Sequence, residues 1–190
     1  MPRGRREQPA AARERRAAIE DPAVVLDAAL RFLEVRPRSV GEVRRRLTGG
    51  GYRSDLVDAA IGRLTELGVV DDAAFARSWI ESRDRVRPRG EHALRMELRQ
   101  KGIDSETIVR TLDERRSEGL ARSDGTDTGP LPDELAARRL LARHASALAR
   151  VTDPRARRQR TYALLARNGF GPEIAAALSR PSVDELDVGD

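Results

Sequence analysis

The chain has 190 residues and a formal net charge of +5, with 39% hydrophobic and 35% charged residues. It contains no cysteine, which excludes disulfide frameworks and thiolate zinc sites. Its apolar runs are all shorter than the about 20 residues that a membrane span needs, and its first residues lack the apolar core of a secretory signal. We therefore expect a cytoplasmic protein with no membrane partner.

Residues 1–20 are predicted to be a disordered basic arm, because their arginines show no apolar periodicity. A first three-helix repeat is predicted over residues 21–70. Side chains suited to cap its three helices are Asp21, Ser39 and Ser54. The apolar residues expected to face its core are Leu26, Leu30, Leu33, Val40, Val43, Leu47, Val57, Ile61 and Leu64.

A second repeat is predicted over residues 71–118. The paired Asp71 and Asp72 are interpreted as the N-cap of its first helix, which carries an apolar stripe of Phe75, Ala76, Trp79 and Ile80. Trp79 is expected in the core, with stacking on nucleic-acid bases as the alternative. Its second and third helices are predicted to contain Leu94 with Leu98 and Ile108 with Leu112.

The last third of the chain is less regular. Residues 119–132 have the composition of a flexible linker, and residues 133–180 are predicted to form a third, degenerate repeat. Asp153 and Pro154 are expected to open its second helix. Residues 181–190 are predicted to be an acidic, disordered tail.

The three repeats share a leucine that precedes a glycine by four residues. The pairs are Leu47 and Gly51, Leu98 and Gly102, and Leu165 and Gly169. The pattern returns after 51 residues and, across the predicted linker, again after 67. Such repetition indicates an array of supersecondary units, and glycine is the usual residue at the C-terminal end of a helix. We therefore predict an all-α protein of three tandem three-helix repeats, an architecture that offers extended surfaces to large partners.

Catalytic chemistry has little support in this sequence. His92 and His144 have no neighbouring ligands at metal-binding spacing. The glycines of residues 49–51 end a helix rather than open one, and no Lys-Ser/Thr pair follows, which argues against a phosphate-binding loop. We expect no enzyme activity, no metal and no cofactor.

Clustered cations are the candidate binding residues, and all three clusters involve the middle helix of a repeat or its entry. If the repeats stack in register, these clusters would form a basic stripe that binds a DNA backbone or an acidic protein groove. The alternative is that they are solvated helix faces. We call the following residues the predicted binding cations: Arg44, Arg45, Arg46, Arg83, Arg87, Arg89, Arg95, Arg99, Lys101, Arg157, Arg158 and Arg160.

The central part of the chain resembles the RecX family, regulators of the RecA recombinase. Residues 68–83 are similar to the family's pattern of a glycine, two apolar residues, paired aspartates, Phe-Ala, an aromatic residue and an arginine. Gly90 and residues 97–103 resemble its second-repeat motif, and residues 36–47 resemble its first. The resemblance covers about residues 23–180.

This resemblance implies a non-enzymatic protein made of three three-helix units in an elongated, curved molecule, which we expect to be monomeric. It implies binding in the groove of a RecA–DNA filament, with weaker affinity for single- or double-stranded DNA. The expected consequence is inhibition of filament extension, ATP hydrolysis, strand exchange and coprotease activity, and hence a role in DNA repair, homologous recombination and the SOS response. The alternative is a DNA-binding protein that competes with the recombinase for DNA.

Overall fold

The computed structural model describes residues 9–121 and 131–180, and these contain ten helices and no strand. The all-α prediction is therefore confirmed. The helices are α1 (Pro9–Ala17), α2 (Pro22–Leu33), α3 (Val40–Gly50), α4 (Ser54–Glu66), α5 (Asp72–Val86), α6 (Glu91–Lys101), α7 (Ser105–Ala121), α8 (Pro132–Ala149), α9 (Pro154–Arg167) and α10 (Pro172–Ser179).

The chain divides into two compact units. The first consists of Met1–Phe75 with Lys101–Asp104, and the second of Ala76–Gln100 with Ser105–Asp190. The division falls inside α5 rather than at residue 70, and the turn between α6 and α7 belongs to the first unit. A unit defined by contacts is therefore not the same as a repeat defined by sequence.

Most of the predicted helix starts are found. Asp21 accepts a hydrogen bond from the amide of Ala23, Ser39 and Glu42 form a complete capping box, and Asp153 accepts from two amides of the first turn of α9. Ser54 is the exception, because it is the first residue of α4 and the preceding Arg53 makes no side-chain cap. The prediction of a Ser54 cap is wrong by one position.

The predicted glycine turns are confirmed. Gly51, Gly102 and Gly169 have φ angles of 103°, 86° and 82°, in the left-handed region that a side chain disfavours. The amides of Gly51 and Tyr52 bond back to the last carbonyls of α3, and those of Gly169 and Phe170 do the same for α9. These bonds satisfy carbonyls that the end of a helix leaves without partners.

Each unit has its own apolar core. In the first unit, α2, α3 and α4 bury a cluster that includes Val25, Val43, Val57 and Leu64. Leu30, predicted to face this core, is 39% exposed, and Ala29 is buried in its place. In the second unit, α8, α9 and α10 bury a smaller cluster of Ala136, Ala137, Leu140, Leu165, Phe170 and Ala175.

The prediction of a disordered arm over residues 1–20 is wrong for Pro9–Ala17, which form α1. This segment is rich in alanine and arginine, both strong helix formers. The guanidinium of Arg16 donates to the carbonyl of Gly50 at 3.0 Å and lies 5.8 Å from the centre of the Tyr52 ring. Tertiary contact with the turn after α3 therefore fixes a helix that is too short to be stable alone. Residues 1–8 lie outside the described residues.

The predicted linker is shorter at both ends than its sequence indicates. Helix α7 continues to Ala121 and α8 begins at Pro132, so the start of residues 119–132 is helical. The remainder of that linker, residues 122–130, and the predicted acidic tail, residues 181–190, lie outside the described residues.

Candidate interaction surface

The three arginines of α3 are all exposed, but they have different surroundings. Arg44 forms an ion pair with Asp58 of α4. The guanidinium of Arg45 donates to the carbonyl of Lys101 at 3.1 Å. Arg46 lies with its guanidinium carbon 5.7 Å from the centre of the Phe32 ring and forms no ion pair within the described part of the chain.

Glu97 organises the cations at the start of the second cluster. Its carboxylate accepts hydrogen bonds from the Trp79 indole at 2.8 Å and from Arg83 at 2.6 Å, and it lies 3.5 Å from Arg89. Arg83 also stacks over the Trp79 ring at 4.2 Å. Trp79 is therefore half-buried in a polar network rather than enclosed in the core as predicted.

Two further predicted binding cations belong to partly buried ion pairs. Arg95 binds Glu91 at 2.7 Å, and Lys101 binds Glu42 at 2.9 Å. Burial raises the pKa of Glu42, but hydrogen bonds from Lys101 and Arg36 outweigh this effect, so the pKa lies below its ordinary value. These cations stabilise the fold, and a partner would have to compete with their carboxylates.

The remaining cations are more available. Arg87 and Arg99 are exposed in the second repeat, as are Arg158 and Arg160 on α9, whereas Arg157 is half-buried. Five of the predicted binding cations form no ion pair with any acidic side chain within residues 9–121 and 131–180. We call them the unpaired arginines: Arg46, Arg87, Arg99, Arg158 and Arg160.

A junction that the sequence analysis missed occurs in both units. In the first unit, the amide of Val40 at the start of α3 donates to Asp72 at 2.8 Å, and the Ser39 hydroxyl donates to the carbonyl of Lys101 at 2.6 Å. Burial raises the pKa of Asp72, a larger effect than the lowering by the Val40 amide.

The second unit repeats this arrangement at the start of α6. The amide of Glu91 donates to Asp133 at 2.9 Å, and the amide of Gly90 donates to the carbonyl of Asn168 at 3.0 Å. The sequence carries a trace of this equivalence, since residues 36–39 read Arg-Pro-Arg-Ser and residues 87–90 read Arg-Pro-Arg-Gly. In both places a helix N-terminus receives a carboxylate, as its dipole favours.

Other kinds of site have no geometric support in the described residues. No three His, Asp or Glu side chains come together there as metal ligands would, and His92 and His144 are exposed. Asp71 accepts from the amides of Ala73 and Ala74, which confirms its role as a helix cap. None of the helices in residues 9–121 and 131–180 combines the length and apolarity needed to cross a membrane.

Comparison with known proteins gives one consistent family. The family model described as the first three-helix domain of RecX matches residues 26–64, and that of the second matches residues 71–112. A crystal structure of RecX from Lactobacillus salivarius has a TM-score of 0.65 at 20% identity, over 89% of this chain and 98% of that one. This likeness supports the fold of tandem three-helix units.

Curated relatives extend the match in sequence. A regulatory protein RecX from Mycolicibacterium smegmatis is 43% identical over 83 residues, which are 44% of this chain and 44% of that protein. A regulatory protein RecX from Thermobifida fusca is 32% identical over 156 residues, which are 82% of this chain and 76% of that protein. With this identity over most of its length, the chain belongs to the RecX family of regulatory proteins.

Proposed function

We propose that this protein is a non-enzymatic regulator of homologous recombination and DNA repair that binds the RecA nucleoprotein filament. Binding inhibits filament extension, ATP hydrolysis, strand exchange and coprotease activity, and so tempers the SOS response. The observation that carries this proposal is the relationship to regulatory RecX proteins over 82% of the chain. The protein acts as a cytoplasmic monomer, in the compartment where RecA filaments form.

The unpaired arginines are the proposed contacts with the filament. An exposed guanidinium without a carboxylate partner can bind a phosphate or an acidic side chain without first losing an existing ion pair. Arg45 and Arg157 are secondary contacts. By contrast, Arg44, Arg83, Arg89, Arg95 and Lys101 already bind carboxylates, so we assign them mainly to the stability of the unit in which each lies.

Titration into a RecA ATPase assay tests the proposal. A filament regulator suppresses DNA-dependent ATP hydrolysis at amounts below one molecule per RecA protomer, because a bound molecule affects neighbouring protomers. The matched control replaces Arg46, Arg99 and Arg158 with glutamate, which removes positive charge from three unpaired arginines. Unchanged hydrolysis over a wide titration of the wild-type protein would contradict the proposal.

A second candidate function is direct DNA binding that excludes the recombinase. The unpaired arginines favour it as well, since a phosphate backbone and an acidic groove attract the same cations. Capture of RecA from a nuclease-treated extract separates the two functions. Capture that survives the nuclease supports filament binding, and capture that requires intact DNA supports competition for DNA.

A further inference from the structure

Two arginines of the first unit lie against the same phenyl ring. The guanidinium carbon of Arg38 is 4.3 Å from the centre of the Phe32 ring, and that of Arg46 is 5.7 Å from the same centre. Phe32 lies near the end of α2, Arg38 in the loop that precedes α3, and Arg46 within α3. We call these three residues the Phe32 cluster.

The positive charge of the Phe32 cluster is not neutralised by the fold. Neither Arg38 nor Arg46 forms an ion pair with an acidic side chain of the described residues. Glu42, which lies between them in the sequence, is already bound by Arg36 at 3.2 Å and by Lys101 at 2.9 Å. Like charges at one place repel each other, and an anion bound by both arginines would relieve that repulsion.

The guanidinium of Arg38 is held in place without any hydrogen bond. Its Nε is buried and has no acceptor, a state that costs free energy in a folded protein. Its two terminal nitrogens also lack an acceptor in the described residues, but they are not buried. The Phe32 ring beneath it packs against the apolar core of the α2–α4 bundle. Arg38 is therefore pre-oriented, and it loses little conformational freedom when it binds an anion.

The available donors suit a phosphate better than a carboxylate. Arg38 offers a fixed pair of terminal nitrogens, whereas Arg46 is exposed and its guanidinium can rotate away from the ring. A tetrahedral phosphate can accept from both guanidinium groups at once, because its oxygens point in several directions. A planar carboxylate is already satisfied by the two parallel hydrogen bonds of one arginine.

We propose that the Phe32 cluster binds one phosphate group of a nucleic-acid backbone. Arg38 donates to the phosphate through its two terminal nitrogens, and Arg46 donates to other oxygens of the same group. Phe32 does not touch the phosphate and acts by positioning Arg38. The proposal rests on the proposed function for the identity of the partner, and it deepens that function by naming DNA, rather than RecA, as the ligand of this cluster.

Titration of the full-length protein with inorganic phosphate tests the site directly. The buried Nε–H of Arg38 is protected from exchange with water, so its resonance can be observed by proton–nitrogen NMR and assigned by its absence in Arg38→Lys. Phosphate should shift this resonance in a saturable way, whereas chloride at the same ionic strength should not. Equal shifts with both anions, or none with phosphate, would overturn the proposal.

Anisotropy of a labelled DNA duplex without RecA tests the nucleic-acid ligand. Arg38→Gln should weaken binding roughly tenfold, because it removes charge-assisted hydrogen bonds to the phosphate. The matched control is Arg31→Gln, which removes the same charge from an exposed arginine of α2 that pairs with Asp27. Equal weakening by the two variants, with melting temperatures near that of the wild type, would overturn the proposal, since net charge alone would explain it.

A third variant tests whether the two arginines share one phosphate. If they do, Arg38→Gln with Arg46→Gln should weaken duplex binding by less than the product of the two single effects. The slope of log K against log salt should also fall in magnitude by about 1 rather than about 2 in the double variant. Independent effects and a change of about 2 would overturn the shared site.

The outcomes separate this proposal from the proposed function. If Arg38→Gln binds the duplex as tightly as the wild type but no longer binds RecA filaments, an acidic side chain of RecA occupies the cluster and the phosphate assignment is overturned. Failure of the wild-type protein to suppress the RecA ATPase contradicts the proposed function. The phosphate and duplex titrations, by contrast, test the Phe32 cluster without RecA.

Discussion

At the scale of single residues, close backbone approach distinguishes one glycine of α3 from another. A Cβ atom on Gly41 would lie 2.7 Å from both the Cα of Gly102 and the carbonyl oxygen of Lys101. A Cβ atom on Gly49, in the same helix, would have no atom within 4 Å. Gly41 therefore permits the turn after α6 to pack on the start of α3, whereas Gly49 has no comparable role.

This difference predicts opposite effects of the same substitution. Gly41→Ala should lower the free energy of unfolding by about 1–3 kcal/mol, because the overpacked backbone must shift. Gly49→Ala should raise it by roughly 0.5–1 kcal/mol, since alanine is the better helix former. Urea unfolding of both variants measures the difference, and equal stabilities would show that the close approach is not required.

Arg95 and Arg99 lie one turn apart on α6 and provide a second contrast between residues. Arg99→Glu should leave the free energy of unfolding within about 0.5 kcal/mol of the wild type while weakening filament binding, because this exposed side chain has no ion pair in the described residues. Arg95→Glu should cost roughly 1 kcal/mol, since it places a second carboxylate beside Glu91. Thermal melting and filament binding are measured together; a large loss of stability in Arg99→Glu would make that residue structural.

The lowered pKa of Glu42 predicts a specific dependence on pH. A carboxyl with a lower pKa in the folded state stabilises the protein above its ordinary pKa, and this stabilisation is lost as the pH falls through the folded-state value. Glu42→Gln keeps the capping-box hydrogen bond but removes the charge that pairs with Lys101 and Arg36, so it should lower stability at pH 7 by about 1 kcal/mol. The deficit should shrink as the pH falls below about 4.3. Urea midpoints of the two proteins from pH 7 to pH 3 measure it; a constant difference would contradict the role of the charged form.

At the scale of secondary-structure elements, the sequence predicted the helices of the three repeats because their ends are defined locally. Asp21, Ser39 and Asp153 cap the amides of the next few residues, and Gly51 and Gly169 end helices through their own φ angles. Helix α1 escaped prediction because its stability comes from the distant carbonyl of Gly50 and the ring of Tyr52. The hydrophobic periodicity of these nine residues carries no information about contacts with distant parts of the chain.

One arginine of α7 bridges α5 and α8 in the second unit. Arg115 of α7, with a side chain 9% exposed, binds both oxygens of Asp84 in α5 at 2.9 and 3.0 Å and Asp133 in α8 at 2.6 Å. Burial lowers the pKa of Arg115, but the hydrogen bonds that it donates to Asp84 and Asp133 more than compensate and raise it. The guanidinium therefore remains charged and satisfies two carboxylates of two other helices.

This network predicts a large effect from one substitution and a small effect from its neighbour. Arg115→Ala should lower the free energy of unfolding by about 3–5 kcal/mol, because it leaves two partly buried carboxylates uncompensated. Arg116→Ala, one residue further along α7, removes an exposed arginine and should cost at most about 1 kcal/mol. Chemical denaturation compares the two; similar losses would mean that the Arg115 network contributes no more than a surface pair.

At the scale of the whole molecule, the sequence shows which residues are basic but not which of them form ion pairs in the fold. The pairing of Arg95 with Glu91, four residues earlier in α6, can be expected from the sequence alone. Whether Arg44 or Lys101 is paired depends on Asp58 or Glu42, which only the fold brings near. Ion pairs thus remove Arg44, Arg83, Arg89, Arg95 and Lys101 from the most available of the predicted binding cations, among which the unpaired arginines remain.

The small number of unpaired arginines predicts the salt dependence of DNA binding in the absence of RecA. Each phosphate contact contributes about −0.9 to the slope of log K against log salt for duplex DNA, so five contacting arginines give a slope of about −4.5. If all twelve predicted binding cations contacted phosphates, the slope would be about −11. Fluorescence anisotropy with a labelled duplex between about 50 and 200 mM salt measures it.

The same experiment has a matched pair of variants on α6. Arg99→Gln should reduce the magnitude of the slope by about 1, because it removes one phosphate contact. Arg95→Gln should leave the slope unchanged, since its guanidinium already binds Glu91. Equal changes in both variants would show that ion pairing within the protein does not decide which arginines bind DNA. A slope near zero for the wild type would indicate that the unpaired arginines bind a protein partner rather than DNA.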